Sequence, residues 1–424
     1  MQIKYRRLKG TRDIMLLEAE RWRWCEDRWR EVLERYAFGE IHTPIIEPTE
    51  LFTRSVGQDT DIVDKEMYTF RTKGDESLTL RPEATASVVR AYLENGLIRQ
   101  PGTLKFFYIG PMFRHDRPQA GRFRQFHQVG VEAIGSPSPV LDAEVIRACM
   151  ALFEAVDAEG LTVRLNNIGS QEDRPAYVTK LGEWARANQE QFCPTCRRRL
   201  VRNPLRLFDC KIEECHALMA DYPPIMEALS DQNRAHHRVV CSLLEELGVP
   251  YVEDHTLVRG LDYYTRTTFE IMAESDRKQS ALCGGGRYDG LVEQCGGPPT
   301  PAIGFSLGIE RTIRHLYSDT PDPQRSRQCP IDVYVACLDE ASQQFGFLHA
   351  DILREICRVE VDTTGRAIKA QLKAATQRQA KMVLIVGAEE VKRNEFQLKN
   401  LESGAQRAVA RDELLTNVRE VLGL

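Results

Sequence analysis

The sequence predicts an α+β protein in which a large antiparallel-sheet domain with a helical insertion precedes a smaller α/β domain. A polar turn joins two long strand-like runs, "LKFFYIGPMFRH" and "FRQFHQVGVEAIG", and this pattern predicts an antiparallel hairpin. A helical, cysteine-bearing segment at about residues 169–248 interrupts the strand pattern, which indicates an insertion. Near the C-terminus, short apolar strands alternate with helical segments, as they do in α/β domains.

The domain limits follow from a change of composition. The stretch "SDTPDPQRSRQCP" is rich in proline and charge and is interpreted as a linker. The first domain is therefore placed at residues 1–325 and the second at residues 330–424. The second is expected to contain the strands "IDVYVAC", "VEVDT" and "KMVLIVG".

Composition and charge narrow the class of protein. The 424 residues are 42% hydrophobic and 28% charged, as in ordinary soluble globular proteins. The start "MQIKYRRLKG" lacks the apolar core of a signal peptide, and no apolar run is long enough to cross a membrane. The twelve scattered cysteines therefore indicate reduced thiols in a cytoplasmic protein. A net charge of −5 argues against a generally basic surface but leaves room for local basic patches.

Three further elements frame the hairpin. Apolar residues at steps of three and four predict a helix that ends before Gly39: Trp22, Cys25, Trp29, Leu33 and Tyr36. Pro44 and Pro48 restrict "EIHTPIIEPTELF" to a sheet edge or an interface. The run "SLTLRPEATASVVRAYLENG" predicts a strand that breaks at Pro82 and a helix closed by Gly96. The run "AIGFSLGIERTIRHLY" predicts a strand leading into a helix.

Alternate residues of the second hairpin strand share a face. One face carries a guanidinium, an aromatic ring, an amide, a gap and a carboxylate: Arg124, Phe126, Gln128, Gly130 and Glu132. Gly130 is expected to leave room above the sheet for a ligand. A solvated sheet face is the alternative, but a solvated face needs neither an aromatic platform nor a gap. The pattern therefore favours a nucleotide site.

The stretch "LVRGLDYYTRTTFE" places polar, pocket-forming side chains directly before a strand-like run. Arg259, Tyr263 and Tyr264 stand where apolar strand residues are expected. The stretch is either a polar hairpin edge or the wall of a site that holds a small charged molecule.

Four cysteines in the insertion have metal-ligand spacing. Two, thirteen and four residues separate the successive members of the series Cys193, Cys196, Cys210 and Cys215. Four thiolates in this arrangement suit a tetrahedral structural zinc ion. Reduced, partly buried cysteines are the alternative. A zinc ion here would brace the insertion and would take no part in catalysis.

These motifs resemble those of a known enzyme family. "FRHDRPQAGRFRQFHQVGVE" and "AIGFSLGIER" resemble motifs 2 and 3 of the class II aminoacyl-tRNA synthetases, and the strand around Pro44 resembles motif 1. "LVRGLDYYTRTTFE" and "ALCGGGRYDGL" resemble the two signature blocks of histidyl-tRNA synthetases, and "KGTRDI" also fits. Thr265 stands where the family usually has asparagine. Taken alone, "RPEAT" and "GGGRYDG" would indicate a helix start and a tight turn.

The resemblance implies a two-step reaction and a set of ATP ligands. Histidine and ATP, with Mg²⁺, form histidyl-adenylate, and the histidyl group then passes to the 3′ end of tRNA(His). Phosphate binding falls to Arg114, Arg122 and Arg311, and adenine stacking to Phe126. Arg259 would bridge the histidine carboxylate and the α-phosphate, as a catalytic group together with Arg114. The alternative for Arg259 is a structural salt bridge with Asp262 or another acid.

The same resemblance implies a histidine pocket. Neutral imidazole has one N–H donor and one acceptor nitrogen, and Glu132 and Tyr264 would read these two edges. The α-amino group would be held by Glu83, Thr85 and Gln128. Two further tyrosines complete the pocket: Tyr263 supports its wall and Tyr288 lies over the substrate.

Partners follow from the resemblance as well. The motif 2 loop, with Arg117 and Gln119, would meet the acceptor end of the tRNA. Arg366, Lys369 and Lys373 are three and four residues apart and are predicted to share a helical face that contacts tRNA phosphates. A solvated helix face is the alternative for these three. Motif 1 implies a homodimer.

Two other functions compete with this one. A paralogue of the family regulates ATP phosphoribosyltransferase, but it typically lacks the anticodon domain and loses parts of the signature blocks. Another class II synthetase, for proline or threonine, is the second alternative, and the tyrosine pair after "LVRGLD" speaks against it.

Overall fold

The computed structural model describes residues 4–57, 60, 62–116, 121–210, 212–273, 281–317 and 330–424. The described residues form two compact units, one of residues 4–13 and 21–317 and one of residues 14–20 and 330–424. Nearly all of the proposed linker lies outside the described residues. No described helix combines the length and apolarity that a membrane crossing requires.

The described part of the chain up to residue 317 contains both strands and helices. Its strands are β1 (Gly39–Glu40), β2 (Ile46–Pro48), β3 (Tyr68–Arg71), β4 (Ser77–Leu80), β5 (Leu104–Phe113), β6 (Gln125–Ile134), β7 (Leu161–Asn167), β8 (Tyr251–Glu253), β9 (Thr265–Ala273), β10 (Cys283–Arg287) and β11 (Ala302–Gly308). Its α-helices are α1 (Leu17–Arg35), α2 (Thr49–Ser55), α3 (Thr85–Glu94), α4 (Pro139–Glu154), α5 (Arg174–Ala187), α6 (Pro194–Arg202), α7 (Glu213–Ala220), α8 (Asp231–Glu246), α9 (Leu291–Gln294) and α10 (Ile309–Tyr317).

Among these residues, eight strands form the main sheet in the order β1-β5-β6-β11-β10-β9-β7-β8. All neighbours run antiparallel except the outer pairs β1–β5 and β7–β8. The predicted hairpin is confirmed, with Leu104 opposite Ile134 and Phe113 opposite Gln125. Strands β7 and β8 were not predicted, because one lies just before the insertion and the other has only three residues.

A smaller sheet, in the order β2-β4-β3, positions the connection between β4 and α3, which contains Glu83. β2 lies at its edge and ends at Pro48, which confirms the prediction that prolines keep this segment out of a sheet centre. Four residues separate the end of β4 from the start of helix α3 at Thr85. The predicted break at Pro82 is therefore confirmed, and the short connection holds Glu83 in a buried position.

Most of the glycine-rich block is strand β10, and a turn follows at residues 289–290, so the tight turn indicated by "GGGRYDG" alone describes only its end. Every residue of β10 is buried between β9 and β11. Its last residue, Arg287, is fully buried and pairs with Asp142 of α4 at 2.7 Å. Thr267 of β9 and His236 of α8 also contact the Asp142 carboxylate, at 2.6 and 2.8 Å. This buried network ties two helices to the sheet centre, where the loss of one partner would leave a charge uncompensated.

The insertion has a hydrophobic core of its own. The core consists of Tyr177, Leu181, Ala185, Phe192, Cys196, Leu200, Leu207, Phe208, Cys210, Cys215, Met219, Ile225 and Leu229. Helices α5, α6 and α7 supply much of this core. Helix α8 packs instead on helix α4, which lies outside the insertion. The limits 169–248 remain a prediction.

The described residues from 330 onward form an α/β unit. Its elements are β12 (Val333–Cys337), α11 (Glu340–Leu353), β13 (Val359–Val361), α12 (Ile368–Gln377), β14 (Met382–Val386), α13 (Ala388–Arg393), β15 (Glu395–Asn400), β16 (Gln406–Ala410) and α14 (Leu414–Leu422). The strand order is β13-β12-β14-β15-β16, parallel over the first three and antiparallel thereafter. The three predicted strands are present. The β15–β16 hairpin was missed because its strands are polar on their outer face.

Candidate active site

A cavity of about 740 Å³ opens in the first unit. It lies among the start of α3, the ends of β5 and β6, the segment before β9 and the start of α10. Ten of the residues predicted to bind histidine or ATP line it: Glu83, Thr85, Arg114, Arg122, Phe126, Gln128, Arg259, Tyr263, Tyr264 and Arg311. Residues far apart in the sequence therefore converge on one space.

One side of the cavity is strongly cationic. The pKa of Arg311 is lowered mainly by burial and, to a smaller extent, by repulsion from Arg122 and Arg114. Arg311 donates to the carbonyl of Ala281 at 2.7 Å, and Arg122 donates to Asp116 at 2.9 Å. An anion among these three guanidinium groups would relieve their mutual repulsion, which is a property of phosphate-binding sites.

Arg114 and Phe126 form a pair on the same side. The guanidinium lies over the aromatic ring, 5.3 Å from its centroid, and its Nε donates to the carbonyl of Pro82 at 2.8 Å. The predicted phosphate ligand and the predicted stacking platform are thus neighbours, held by the connection between β4 and α3.

Arg259 projects into the cavity from the segment before β9. It forms an ion pair with Glu270, and its guanidinium lies 5.6 Å from the centroid of the Tyr264 ring. Burial alone would lower the pKa of Arg259, but Glu270 reverses this, so the group stays charged. Its Nε has no hydrogen-bond partner among the described residues. At least one donor is therefore left for a ligand.

The acid that pairs with Arg259 is not Asp262 but another one, which the alternative of a structural salt bridge also allowed. Asp262 accepts from Asn203 at 2.9 Å, whereas Glu270 of β9 pairs with the arginine. Glu270 is opposite Gly284 in the β9–β10 register. The signal for Glu270 was its place at the end of the same signature block, but only the strand register shows that it faces Arg259.

The cavity wall also offers carboxylate and amide oxygens. Glu83 accepts hydrogen bonds from the backbone N–H groups of Thr85 at 2.7 Å and Ala86 at 3.0 Å. Burial nevertheless raises the pKa of Glu83. Gln128 Oε1 is buried and has no hydrogen-bond partner in the described part of the chain. Two acceptors in such positions suit an ammonium group.

Glu132 and Tyr288 are at the site but do not line the cavity. Glu132 is 1% exposed and accepts from the Thr85 hydroxyl at 2.8 Å, the Tyr288 hydroxyl at 2.5 Å and the Tyr108 hydroxyl at 3.3 Å. Burial raises the pKa of Glu132 to about 8. The Tyr288 hydroxyl is bound to Glu132 and does not reach the cavity.

Gly130 does not provide the predicted space for a ligand. A Cβ atom at this position would lie 2.2 Å from the ring and hydroxyl of Tyr108, so the tyrosine already fills the gap. Tyr108 is directly opposite Gly130 in the β5–β6 register and is 2% exposed. The glycine therefore admits a neighbouring side chain, which in turn holds Glu132.

Only some of the residues predicted to contact tRNA are among the described residues. Arg117 and Gln119 lie outside the described residues. Arg366 precedes α12 and binds Asp362 at 3.0 Å, so it does not share the helical face of Lys369 and Lys373. The helix starts later than the spacing implied because residues 362–367 are irregular, with Gly365 in the left-handed region at a φ of 65°. The two lysines are exposed and form no ion pair within the described residues.

The four cysteines of the insertion converge, as the spacing predicted. Their Sγ atoms all lie within 4.8 Å of one another, and the Sγ atoms of Cys193 and Cys210 are 4.0 Å apart. Four sulfur donors at such distances fit a tetrahedral zinc ion. The described cysteines form no disulfide.

Comparison with known proteins gives a consistent result. Residues 10–172 and 181–312 match the family model described as histidyl-tRNA synthetase, and residues 332–421 match an anticodon binding domain. A histidine–tRNA ligase of Geobacillus kaustophilus is 46% identical over 419 residues, which cover 98% of each chain. That of Desulforamulus reducens is 44% identical over 420 residues, covering 97% of this chain and 98% of the relative.

A solved structure agrees with these matches. The structure of apo S. aureus histidyl-tRNA synthetase aligns with a TM-score of 0.81 and 34% identity, covering 98% of this chain and 100% of the other. An antiparallel sheet with an arginine-rich cavity, followed by a separate anticodon-binding unit, has the fold of a class II aminoacyl-tRNA synthetase. Within that class, the chain belongs to the histidyl-tRNA synthetase family. Its function is histidine–tRNA ligation, which sets aside the regulatory and other-synthetase alternatives.

Proposed function

We propose that the cavity binds histidine and ATP side by side and catalyses formation of histidyl-adenylate, before the histidyl group passes to the 3′ end of tRNA(His). One observation carries this proposal: four arginines and the buried oxygen acceptors of Glu83 and Gln128 line a single cavity. Two anionic groups and one ammonium group are what the substrates bring to such a space. ATP enters as its Mg²⁺ complex.

The arginines act on the phosphates. A carboxylate oxygen of histidine attacks the α-phosphorus in line, and pyrophosphate leaves, so no proton transfer is required. Arg114 grips the α-phosphate, Arg122 and Arg311 hold the departing phosphates, and adenine stacks on Phe126. Arg259 lies between the two reacting anions. Its fixed charge lowers their repulsion and stabilises the charge that develops in the transition state.

The acceptor side selects histidine. Glu83, Gln128 and the Thr85 hydroxyl hold the α-ammonium group, while Tyr263 and Tyr264 form the wall against which the imidazole lies. Tyr264 and Glu132 contact the two ring nitrogens, which requires the wall in front of Glu132 to move aside when histidine binds. Tyr288 acts through Glu132. A smaller or apolar side chain would leave these buried polar groups unpaired, which costs binding far more than a lost methylene does.

The remaining proposals concern partners. The anticodon-binding unit contacts tRNA phosphates through Lys369 and Lys373, with Arg366 at the edge of that surface. Arg117 and Gln119 approach the acceptor end. The protein works as a homodimer in the cytoplasm, and the four-cysteine cluster holds a structural zinc ion.

Exchange of labelled pyrophosphate into ATP, measured for each of the twenty amino acids without tRNA, tests the activation step. We expect exchange with histidine alone. An Arg311→Ala variant serves as a matched control for contaminating synthetases, because it should lose the activity while retaining the fold. Exchange with a different amino acid, or none with folded protein, would contradict the proposal.

A further inference from the structure

The cysteine cluster (Cys193, Cys196, Cys210 and Cys215) has nearly the geometry of a zinc complex. Zinc–sulfur bonds of about 2.3 Å in a tetrahedron separate the sulfurs by about 3.8 Å. The sulfurs here are all within 4.8 Å, so small movements complete the coordination sphere. The backbone N–H of Cys196 donates to Cys193 Sγ at 3.4 Å and that of Cys193 donates to Cys215 Sγ at 3.3 Å. Such bonds orient sulfur ligands.

The chain between the second and third cysteines, residues 197–209, is termed here the knuckle loop. The cluster lies at both of its ends, so a bound ion would close it. Arg199 donates to the carbonyl of Arg206 at 3.1 Å and contacts Asp209 at 3.5 Å, which links the two halves of the loop. All three of these residues line the active-site cavity. The loop is thus part of the cavity wall.

The knuckle loop also supports the segment that carries Arg259. Asn203 donates to the Asp262 carboxylate at 2.9 Å. The guanidinium of Arg206 passes over Gly260, where a Cβ atom would be 3.7 Å from Nη2. Val258 packs on the hydrophobic core of the insertion. The contacted residues, at positions 258, 260 and 262, lie on both sides of Arg259 in the sequence and just before the tyrosine pair.

We infer that zinc held by the cysteine cluster positions the segment 258–264 through the knuckle loop, so that the metal supports substrate binding although it contacts no substrate. This inference rests on the proposed function, since it assumes that Arg259 and the tyrosines bind histidine and ATP. Without the ion, residues 197–209, which comprise the end of α6 and a 3-10 helix, would be closed only by their hydrogen bonds and by packing in the insertion core. The Asn203 carboxamide and the Arg206 guanidinium would then hold residues 258–264 less firmly. Arg259 would sample more orientations as a result.

Two cysteines make the test selective. Cys196 and Cys215 do not line the cavity, so Cys215→Ser removes a ligand without altering the cavity wall. Asn203→Ala removes the contact to Asp262 but keeps every ligand. Cys241→Ser is the matched control, because this partly buried thiol of α8 lies outside the cluster in a second group of possible ligands with His237 and Glu253, and an unchanged zinc content would show that this group holds none. Zinc content, thermal unfolding, and KM and kcat for histidine and ATP in pyrophosphate exchange would be measured on each full-length protein.

We expect one zinc ion per chain in the wild type, Asn203→Ala and Cys241→Ser, and little in Cys215→Ser. Both Cys215→Ser and Asn203→Ala should raise KM for histidine about tenfold, the effect of losing a hydrogen bond to a charged group, with a smaller change in kcat. Cys241→Ser should match the wild type. Should Cys215→Ser fail to fold, zinc removal and restoration on the wild type replaces it, and KM should rise and then recover.

Three results would overturn the inference. Wild-type protein prepared with ample zinc but containing none would remove the metal site. Zinc-free protein with unchanged KM would reduce the ion to a brace of the insertion. An unchanged KM in Asn203→Ala would show that the knuckle loop does not position the segment. Wild-type protein without histidine-dependent exchange would instead contradict the proposed function itself.

Discussion

Arg259 forms an ion pair and also has a donor, Nε, without a partner among the described residues. The effect of its substitution follows from these two properties. Glu270 keeps the guanidinium charged and oriented, while Nε remains available within the described structure. Replacement by alanine should reduce histidine-dependent pyrophosphate exchange about a thousandfold or more, because the transition state loses its bridging charge.

Arg259→Lys separates charge from geometry. Lysine retains a partner for Glu270, so the fold should stay intact, but it lacks the planar fork that reaches two anions. We expect exchange to remain at least about tenfold below wild type. Near-normal turnover in Arg259→Ala would refute the bridging role, and full recovery with lysine would show that any positive charge suffices.

Glu132 should make stability depend on pH in a defined direction. Burial raises its folded-state pKa to about 8, whereas an exposed glutamate has a pKa of about 4.3. The folded state therefore holds the Glu132 proton more tightly than the unfolded state does. The stability that this proton contributes is lost as pH rises from the unfolded-state pKa to the folded-state pKa. Relative to Glu132→Gln, the unfolding free energy of the wild type should fall by up to about 1.4 kcal/mol per pH unit between about pH 5 and 8.

Urea denaturation of the two proteins at several pH values measures this difference. The subtraction cancels the titration of every other group, provided that both proteins unfold in one transition. Parallel pH profiles would mean that Glu132 is ionised throughout, with its three hydroxyl donors outweighing the cost of burial.

Strand β10 shows how one element can serve both the active site and the core. An added Cβ at Gly284 would lie 2.2 Å from the guanidinium of Arg259, the end of a flexible side chain. At Gly285 it would lie 2.4 Å from the backbone oxygen of Gly304 and 2.6 Å from Phe305. Neighbouring glycines are thus required for different reasons.

Gly284→Ala and Gly285→Ala should therefore have opposite profiles. The first should displace Arg259 and reduce exchange about a hundredfold with little loss of stability. The second should destabilise the protein by roughly 1–3 kcal/mol or more, since the backbone and core cannot move aside. Thermal unfolding and exchange kinetics on both variants check this. Equal losses of stability would show that the Arg259 contact is as rigid as the core.

The division of the molecule into two units predicts separable functions. Removal of the residues after Pro330 should abolish tRNA charging but spare much of the activation step, because the cavity lies wholly in the first unit. Aminoacylation at physiological salt and pyrophosphate exchange measure the two steps. Retained charging would show that the second unit is dispensable.

A full-length variant keeps the second unit in place. Lys369→Ala combined with Lys373→Ala should weaken tRNA binding and reduce the slope of log affinity against log salt by about one per lysine. An unchanged slope would assign both lysines to a solvated helix face. Pyrophosphate exchange, which needs no tRNA, should remain at the wild-type level and serves as the control.

Local patterns were sufficient to identify the family, the fold class and most of the groups that meet in the cavity. Alternation placed Phe126 and Gln128 on one face of a hairpin, prolines marked an edge strand, and the cysteine spacing predicted a cluster that the fold does form. These inferences succeeded because side-chain direction within a strand, and ligand spacing within one compact insertion, depend on nearby residues.

Only the tertiary structure decided how those groups are paired. The partner of Arg259 is Glu270, the gap at Gly130 is filled by Tyr108, and Glu132 lies behind the cavity wall. Each of these facts depends on the register of strands or on packing between residues distant in sequence. A shift of one residue in register reverses the face of every side chain, and no local pattern specifies which distant side chain occupies a gap.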